Sequence, residues 1–304
     1  MMLTPVDRPY FQIGLGSAGT PAFPVSLPVL AGDGVDRLFS SAQPAGHSGR
    51  FALFRQPGWL IGVGCLPAAS PIEVATAELY RDLLSAARDW HLARIWNYVP
   101  AINRPGPDGL ENYRAFCRGR SLAFERHFGR DFPSFAPAAS GVGCDGGNLA
   151  VVFAASAAAP RHLENPRQIP AYAYPPQYGP RSPTFSRATV VATADARTIF
   201  VSGTSAICGH ASVAPDDTAG QLRCTLENLR LIGRACGLDS DLGCASVRFR
   251  HLRVYLRHAA DYPSVAATLA SAWGAGQYNV VYLRSDICRS ELNVEIEATV
   301  ECDP

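Results

Sequence analysis

The chain contains no lysine; every one of its 27 Lys-or-Arg positions is arginine. That absence excludes a lysine Schiff base, and with it pyridoxal phosphate and aldolase-type imine chemistry. A phosphate-binding loop ending in GK[ST] is equally impossible. Anions must be recognised by arginine, whose planar fork suits carboxylates. Charge is scarce as well: 17% of residues are charged and the formal net charge is +1. Without a basic field, neither nucleic acid nor an anionic membrane is expected as a partner. No CxxC pair, HxH or HExxH occurs among the nine cysteines and seven histidines, so no metal site is expected. The cysteines are odd in number and scattered, which points to reduced thiols in a cytoplasm. GxSxG is missing, and SGTSAICGH (202–210), with its hydroxyls and His210, yields no Ser-His-Asp signature. The opening MMLTPVDRPYFQIGLG has no basic region followed by an apolar run, and no apolar stretch reaches about 18 residues, so neither a signal peptide nor a membrane span is expected.

What is present is apolar material. Hydrophobic residues make up 47% of the 304 positions, enough for one large or two medium domains. Elements recur in a fixed order. GWLIGVGCL (58–66) reads as a strand. The spacing of Ala77, Tyr80, Leu84 and Ala87 predicts a helix over 73–91. RIWNYVPAI (94–102) reads as a strand, 110–128 as a helix and NLAVVFAAS (148–156) as a strand. The second half repeats this order. RTIFVSGTSAI (197–207) is a strand, and 217–237 is a helix with Leu222, Leu226, Leu229, Gly233 and Cys236 on one stripe, stopped at Gly237. A strand at 247–256 leads to a helix over 261–274, capped by Asp261 with Pro263 in its first turn. Strands at 278–283 and 292–300 close the set.

The expected fold class is therefore α/β (α+β), with two like halves, each a mixed sheet carrying helices on one face. The other face must be covered by the sister half or by another subunit. Residues 1–150 form the first domain, 151–188 a connector and 189–304 the second domain. The first 50 residues, rich in glycine and proline, read as irregular cover over the first half. GLGSAG (14–19) resembles the start of a dinucleotide fingerprint but follows no clear strand of a βαβ unit.

Three places could carry chemistry. In LNVEIEATV (292–300), Glu295 and Glu297 lie two apart and share a face of one strand. That face is either solvated or lines a cleft; in a partly dry cleft a carboxyl keeps its proton above the usual range and can donate it. Cys288 sits between Arg284 and Arg289, either as a packing residue or as a thiol biased towards thiolate. The connector NPRQIPAYAYPPQYGPRSPTFSRA (165–188) holds six prolines, three tyrosines and three arginines, and no acidic residue. Proline stiffens it, so Tyr172, Tyr174, Tyr178, Arg167 and Arg181 can form a carboxylate clamp at low entropic cost. The plain alternative is a surface crossover between halves.

VSGTSAI, AGQLRCTLENLRLI, HLRVYLRHAADYPSV and VEIEA, over about 189–300, resemble the RidA superfamily of small enamine/imine deaminases, which form barrel-like trimers with clefts at subunit contacts. Those deaminases carry a carboxylate-gripping arginine on the strand before VEIEA; here that strand is YNVVYL, with no arginine before Arg284. NPRQIPAYAYPPQYGPRSP ahead of an SGT turn, followed by a terminal VEIEA strand, resembles the chorismatases, often labelled pteridine-dependent deoxygenase-like, over most of the chain. The resemblance implies two RidA-like halves and cofactor-independent cleavage of the enolpyruvyl ether of chorismate. The products are pyruvate and 3-hydroxybenzoate, in some members also 4-hydroxybenzoate, and in others a dihydroxycyclohexadiene carboxylate. It implies Glu295 as the acid/base and Cys288 as the residue steering the product, because hydrolytic members have alanine there. It assigns Tyr172, Tyr178, Arg167 and Arg181 to the substrate's carboxylates and hydroxyls, and Gly203 to close approach of backbone to ligand. Glu297 is a further candidate on the same face. The alternatives are a RidA-like imine deaminase and a non-catalytic small-ligand binder, as a monomer or a homo-oligomer such as a trimer.

Overall fold

The computed structural model describes residues 10–15, 23–67, 71–240, 242–274 and 278–304. Three strands open it: β1 (Tyr10–Leu15), β2 (Phe23–Ala31) and β3 (Val35–Phe39). The first half comprises β4 (Gln43–Ser48), β5 (Phe51–Gln56), β6 (Trp59–Pro67), α1 (Ile72–Ala86), β7 (His91–Pro100), α2 (Asn112–Phe128), β8 (Ala138–Cys144) and β9 (Asn148–Ser156). The connector carries β10 (Arg161–Leu163). The second half comprises β11 (Ala188–Ala192), β12 (Arg197–Thr204), the short pair β13 (Ile207–Cys208) and β14 (Ala211–Ser212), α3 (Thr218–Ala235), β15 (Val247–Leu256), α4 (Tyr262–Trp273), β16 (Asn279–Arg284) and β17 (Val294–Cys302).

Among the described residues, one large sheet runs β4-β5-β6-β9-β7-β8 and the other β10-β11-β12-β17-β15-β16-β2-β1-β3. Inside them β5-β6-β9-β7-β8 and β11-β12-β17-β15-β16 are the same arrangement. Each has an antiparallel hairpin, two helical crossovers, a parallel pair (β7 with β8, β15 with β16) and a last strand inserted antiparallel at the centre. The expected duplication is present, but the shared arrangement has five strands, where the sequence pattern shows three in the first half and four in the second. Short β8 (AASGVGC) is too rich in alanine and glycine to announce itself.

The helices cover only the outer faces. Leu79, Leu83 and Phe116 of α1 and α2 pack on Ile95, Val151 and Phe153. Leu222, Leu229 and Leu269 of α3 and α4 pack on Val254, Val294, Ile296 and Val300. The inner faces meet each other: Val63, Trp96, Tyr98 and Val152 of the first half share a core with Phe200, Tyr255 and Leu283 of the second. The sister half is what covers the second face. So β17 alternates between two buried environments, an apolar one beneath the helices and a polar one against the other sheet. Glu295 and Glu297 are 3% and 4% exposed, so their face is not solvated.

The opening residues depart from expectation. They are not irregular cover over the first half: β2 pairs with β16, and β1 and β3 extend the second half's sheet from there. An otherwise bare edge strand is thereby covered. Val25, Leu27 and Val29 supply the period-two pattern, which the prolines of FPVSLPVLA obscure in the sequence. Of GLGSAG, Gly14 lies on β1, which pairs with β2 and enters no helix; residues 16–19 lie outside the described residues. The expectation that the thiols are all reduced is corrected at one pair, since Cys244 and Cys302 form a disulfide while seven cysteines are free. Their 58-residue separation hid the pairing. Asp261 precedes α4 but accepts from Thr218 Oγ1 (2.8 Å) instead of capping the helix. Among the described residues, no helix is long and apolar enough to cross a membrane, and no cluster of His, Cys, Asp or Glu could hold a metal.

Candidate active site

A cavity of about 340 Å³ opens where the two halves and the connector meet. The start of α2 contributes Glu111, Tyr113 and Arg114. The connector contributes Tyr174, Tyr178, Phe185 and Arg187. The second half contributes Gly203, Ser205, Cys288, Arg289 and Glu295.

Glu295 comes from the polar inner face of β17. Opposite it, β12 loses its regular register with β17 between Val201 and Thr204. Irregularities of this kind re-aim side chains beside functional sites. The irregular stretch is pinned from both sides: Ser202 Oγ donates to Ser186 O (2.6 Å) and accepts from the Ala139 amide (2.8 Å). It carries Gly203 beneath the Glu295 carboxyl and Ser205 beside it, with Ser205 Oγ 3.3 Å from Glu295 Oε2. Burial, together with the negative charge of Glu297, pushes the Glu295 pKa up to about 8, against the opposing pull of Ser205, Arg94 and Arg187. The carboxyl is mostly protonated at neutral pH.

The connector is held as stiffly as its prolines suggest. Ile169 N donates to Gly209 O (3.0 Å), Gly209 N to Arg167 O (2.9 Å) and Gln168 Nε2 to Ile207 O (3.0 Å). Asn228 of α3 braces the same turn by donating to the carbonyls of Ser205 and Ile207, both at 3.0 Å. Arg187, buried at the connector's end, donates to Tyr174 Oη (2.6 Å), and its Nε has no hydrogen-bond partner among the described residues. Arg289 lies over the Tyr178 ring at 4.0 Å and donates to Ser212 Oγ (2.9 Å). Tyr178 Oη is 3.0 Å from His210 Nδ1. The loop bearing Cys288 and Arg289 is gathered by Arg257, which donates to the carbonyls of Ile287, Arg289 and Leu292. Besides Arg114, which pairs with Glu111 at 3.2 Å, two further guanidinium groups, phenols and a neutral carboxylic acid thus converge on one concavity, an arrangement suited to a small dianion that must be protonated.

Known proteins similar to this chain identify its family. Residues 38–155 match the family described as Chorismatase FkbO/Hyg5-like, N-terminal. A chorismatase of Streptomyces rapamycinicus is 41% identical over 265 residues, 84% of this chain and 78% of that protein. The chain belongs to the chorismatase family. A 3-hydroxybenzoate synthase of Streptomyces hygroscopicus is 40% identical over 248 residues, 78% of this chain and 72% of that protein. A crystal structure of a chorismatase, 36% identical, aligns over 84% of this chain and 80% of its own with a TM-score of 0.75.

Of the site residues expected for a chorismatase, Glu295, Cys288, Tyr178 and Gly203 line the cavity. The space that a side chain at Gly203 would need is held by the Glu295 carboxyl. Arg181, Arg167 and Tyr172 are not among the lining residues. Arg181 extends outward to pair with Glu125 at 2.8 Å, half-exposed. Arg167 meets the cavity's supporting turn through its backbone carbonyl. Burial and the charge of Glu164 raise the Tyr172 pKa above its ordinary value. The connector's third arginine, Arg187, is the one that reaches the cavity, together with Arg289. The single signal for Arg187 was its place directly before β11, where the chain re-enters the sheet. Cys288 is not biased to thiolate: burial and the nearby Glu295 push its pKa above the ordinary thiol range, outweighing Arg289. Arg284 is drawn off by Asp286, 3.2 Å away. Glu297 is engaged by Arg94, Trp96 and Arg253 and is not among the lining residues.

Proposed function

We propose that this chorismatase cleaves the enolpyruvyl ether of chorismate to pyruvate and a hydroxybenzoate, 3-hydroxybenzoate first. The observation that carries the reading is the buried Glu295 carboxyl on the wall of a cavity that also holds Arg187 and Arg289, a setting in which burial favours its protonated form. Glu295 gives its proton to the methylene carbon of the vinyl ether, creating an oxocarbenium ion that its own carboxylate then stabilises. The neighbouring ring hydroxyl then attacks the ring carbon that bears the ether oxygen, giving its proton to the Glu295 carboxylate as that carbon–oxygen bond breaks and pyruvate leaves. The epoxide so formed opens at the carbon that bore the hydroxyl, and the ring proton on the attacked carbon is exchanged for a proton on the oxygen, which aromatises the ring to 3-hydroxybenzoate. Glu295 gives one proton and regains one, so no net water is consumed and no cofactor enters.

Arg187 and Arg289 are the counter-charges for the two substrate carboxylates, with Tyr174 and Tyr178 orienting them. Cys288, an uncharged thiol beside the acid, fills space that water would otherwise occupy and so favours the internal attack over hydrolysis to a dihydroxycyclohexadiene carboxylate. All of these groups come from one chain, which supports a monomer as the working unit. Seven free thiols among nine cysteines support a cytoplasmic location.

The test is direct. Protein and chorismate are mixed, pyruvate release is coupled to NADH oxidation, and aromatic products are separated. Equimolar pyruvate and hydroxybenzoate are expected. No pyruvate above background would sink the reading in favour of a binding protein, and ammonia release from an imino acid would favour a deaminase.

A further inference from the structure

We infer that the buried Arg94–Glu297 pair is the positioning element for the proton on Glu295, with Glu297 serving as a fixed anion and not as a second acid. The inference rests on Glu295 being the proton donor and concerns what keeps it loaded. Glu297 follows Glu295 by two residues on the same face of β17. Its carboxylate accepts from Arg94 Nη2 (2.6 Å), Trp96 Nε1 (2.8 Å) and Arg253 Nη1 (3.0 Å). Three donors converging on one carboxyl leave it no role but acceptor. Arg253 is matched in turn by Asp36 of β3, whose Oδ2 is 2.8 Å from its Nε, and Arg253 Nη1 also reaches Tyr98 Oη at 3.3 Å. His251 Nε2 stands 3.4 Å from Asp36. The charges alternate from Asp36 through Arg253 and Glu297 to Arg94, and the run is balanced within itself. It stitches the opening strands, the second half and the first half together at the interior.

The run ends next to the proposed acid. Arg94 Nη2 also donates to Ser140 Oγ (3.1 Å), and Ser140 borders the same space over Gly203 that the Glu295 carboxyl fills. Glu295 is faced by Glu297 from its own strand, Tyr255 from β15 as its register partner, Ser205 from the turn after β12, Cys288 from the last loop, Arg187 from the connector and Arg94 from β7. Among the ionic groups, the Glu297 charge favours the protonated acid more strongly than Arg94 opposes it. A buried charge pair of this kind can set when the proton leaves without touching substrate.

The test is the pH profile of kcat/KM with chorismate, alongside thermal melts. Glu297→Gln removes the anion and leaves Arg94 and Arg253 in excess, so the alkaline limb is expected about one pH unit lower than in the wild type. Arg94→Gln removes the opposing cation, and its limb is expected higher. A merely structural pair would lower Tm without moving the limbs in opposite directions. The double variant removes both charges together and leaves Arg253 matched by Asp36; its limb is expected below the wild type by less than in the Glu297→Gln variant. Limbs coinciding with the wild type overturn the inference, as does a double variant that cannot fold, which would make the pair a structural strut. If the wild type shows no alkaline limb, or Glu295→Gln is fully active, the reading of Glu295 itself fails instead.

Discussion

The Glu295 carboxyl occupies the space that a side chain at Gly203 would need. A Cβ at Gly203 would overlap Glu295 Oε1, stand 2.8 Å from its carboxyl carbon and lie 3.1 Å from Ser140 Cβ. Ser140 is held in the packed seam between the sheets, so Glu295, which borders the cavity, is the neighbour that must yield. Gly203→Ala is therefore expected to push the acid from its place and lower kcat by about 100-fold, with a stability loss of about 1–3 kcal/mol. Steady-state kinetics and denaturant melts check this; an active Gly203→Ala enzyme would show that the acid's position is not critical.

The protonation of Glu295 predicts the direction of two pH effects. Activity requires the acid form, so kcat/KM is expected to be level below about pH 8 and to fall as pH rises through that value. Glu295→Gln is expected to lose about 10²–10⁴-fold in kcat. Stability runs the same way. The folded state holds the Glu295 proton more tightly than the unfolded chain, whose value is near 4.5. Its contribution is whole below that value and is lost as pH rises through the folded value of about 8. The wild type is expected to lose about 1 kcal/mol per pH unit relative to Glu295→Gln across that window, measured as Tm differences between pH 5 and pH 9.

Cys288 is expected to control product and not rate. Cys288→Ala opens space beside the acid, and Cys288→Ser places a hydroxyl there; both are expected to divert part of the flux to the hydrolysis product, with total pyruvate release within about threefold of the wild type. Chromatography of the products measures the ratio, and an unchanged ratio would remove Cys288 from the mechanism. Because its thiol is held above the ordinary range, Cys288 is expected to resist iodoacetamide at pH 7.

The arginines separate cleanly. Arg289→Ala and Arg187→Ala each strip a cation from the cavity wall, and KM is expected to rise at least about tenfold. Arg187→Ala also breaks a buried bond to Tyr174 and is expected to melt lower. Arg181→Ala removes only the half-exposed pair with Glu125, so KM is expected within about twofold of the wild type. A large KM effect at Arg181 would mean that the connector closes over the substrate in a way that turns this side chain inward.

Much of the plan is local in origin. The repeated order of helices and strands, the alternation in LNVEIEATV and the exclusion of lysine chemistry all follow from local pattern and composition, which need no knowledge of who packs against whom. Local pattern also singled out the connector and Glu295. Other features depended on contacts between residues far apart in the chain. Period-two alternation says that one face of β17 differs from the other, but only the apposition of the two sheets shows that the polar face is buried, which is what raises the Glu295 pKa. Composition marked three connector arginines, and the clamp was read onto Arg167 and Arg181; side-chain direction at the end of a pinned loop turns Arg187 in and leaves Arg181 out. The strands of residues 10–39, the Cys244–Cys302 bond and the Asp36–Arg253–Glu297–Arg94 run escape a linear reading for the same reason. Each joins partners whose closeness is set by how the halves stack, and stacking is a property of the whole fold.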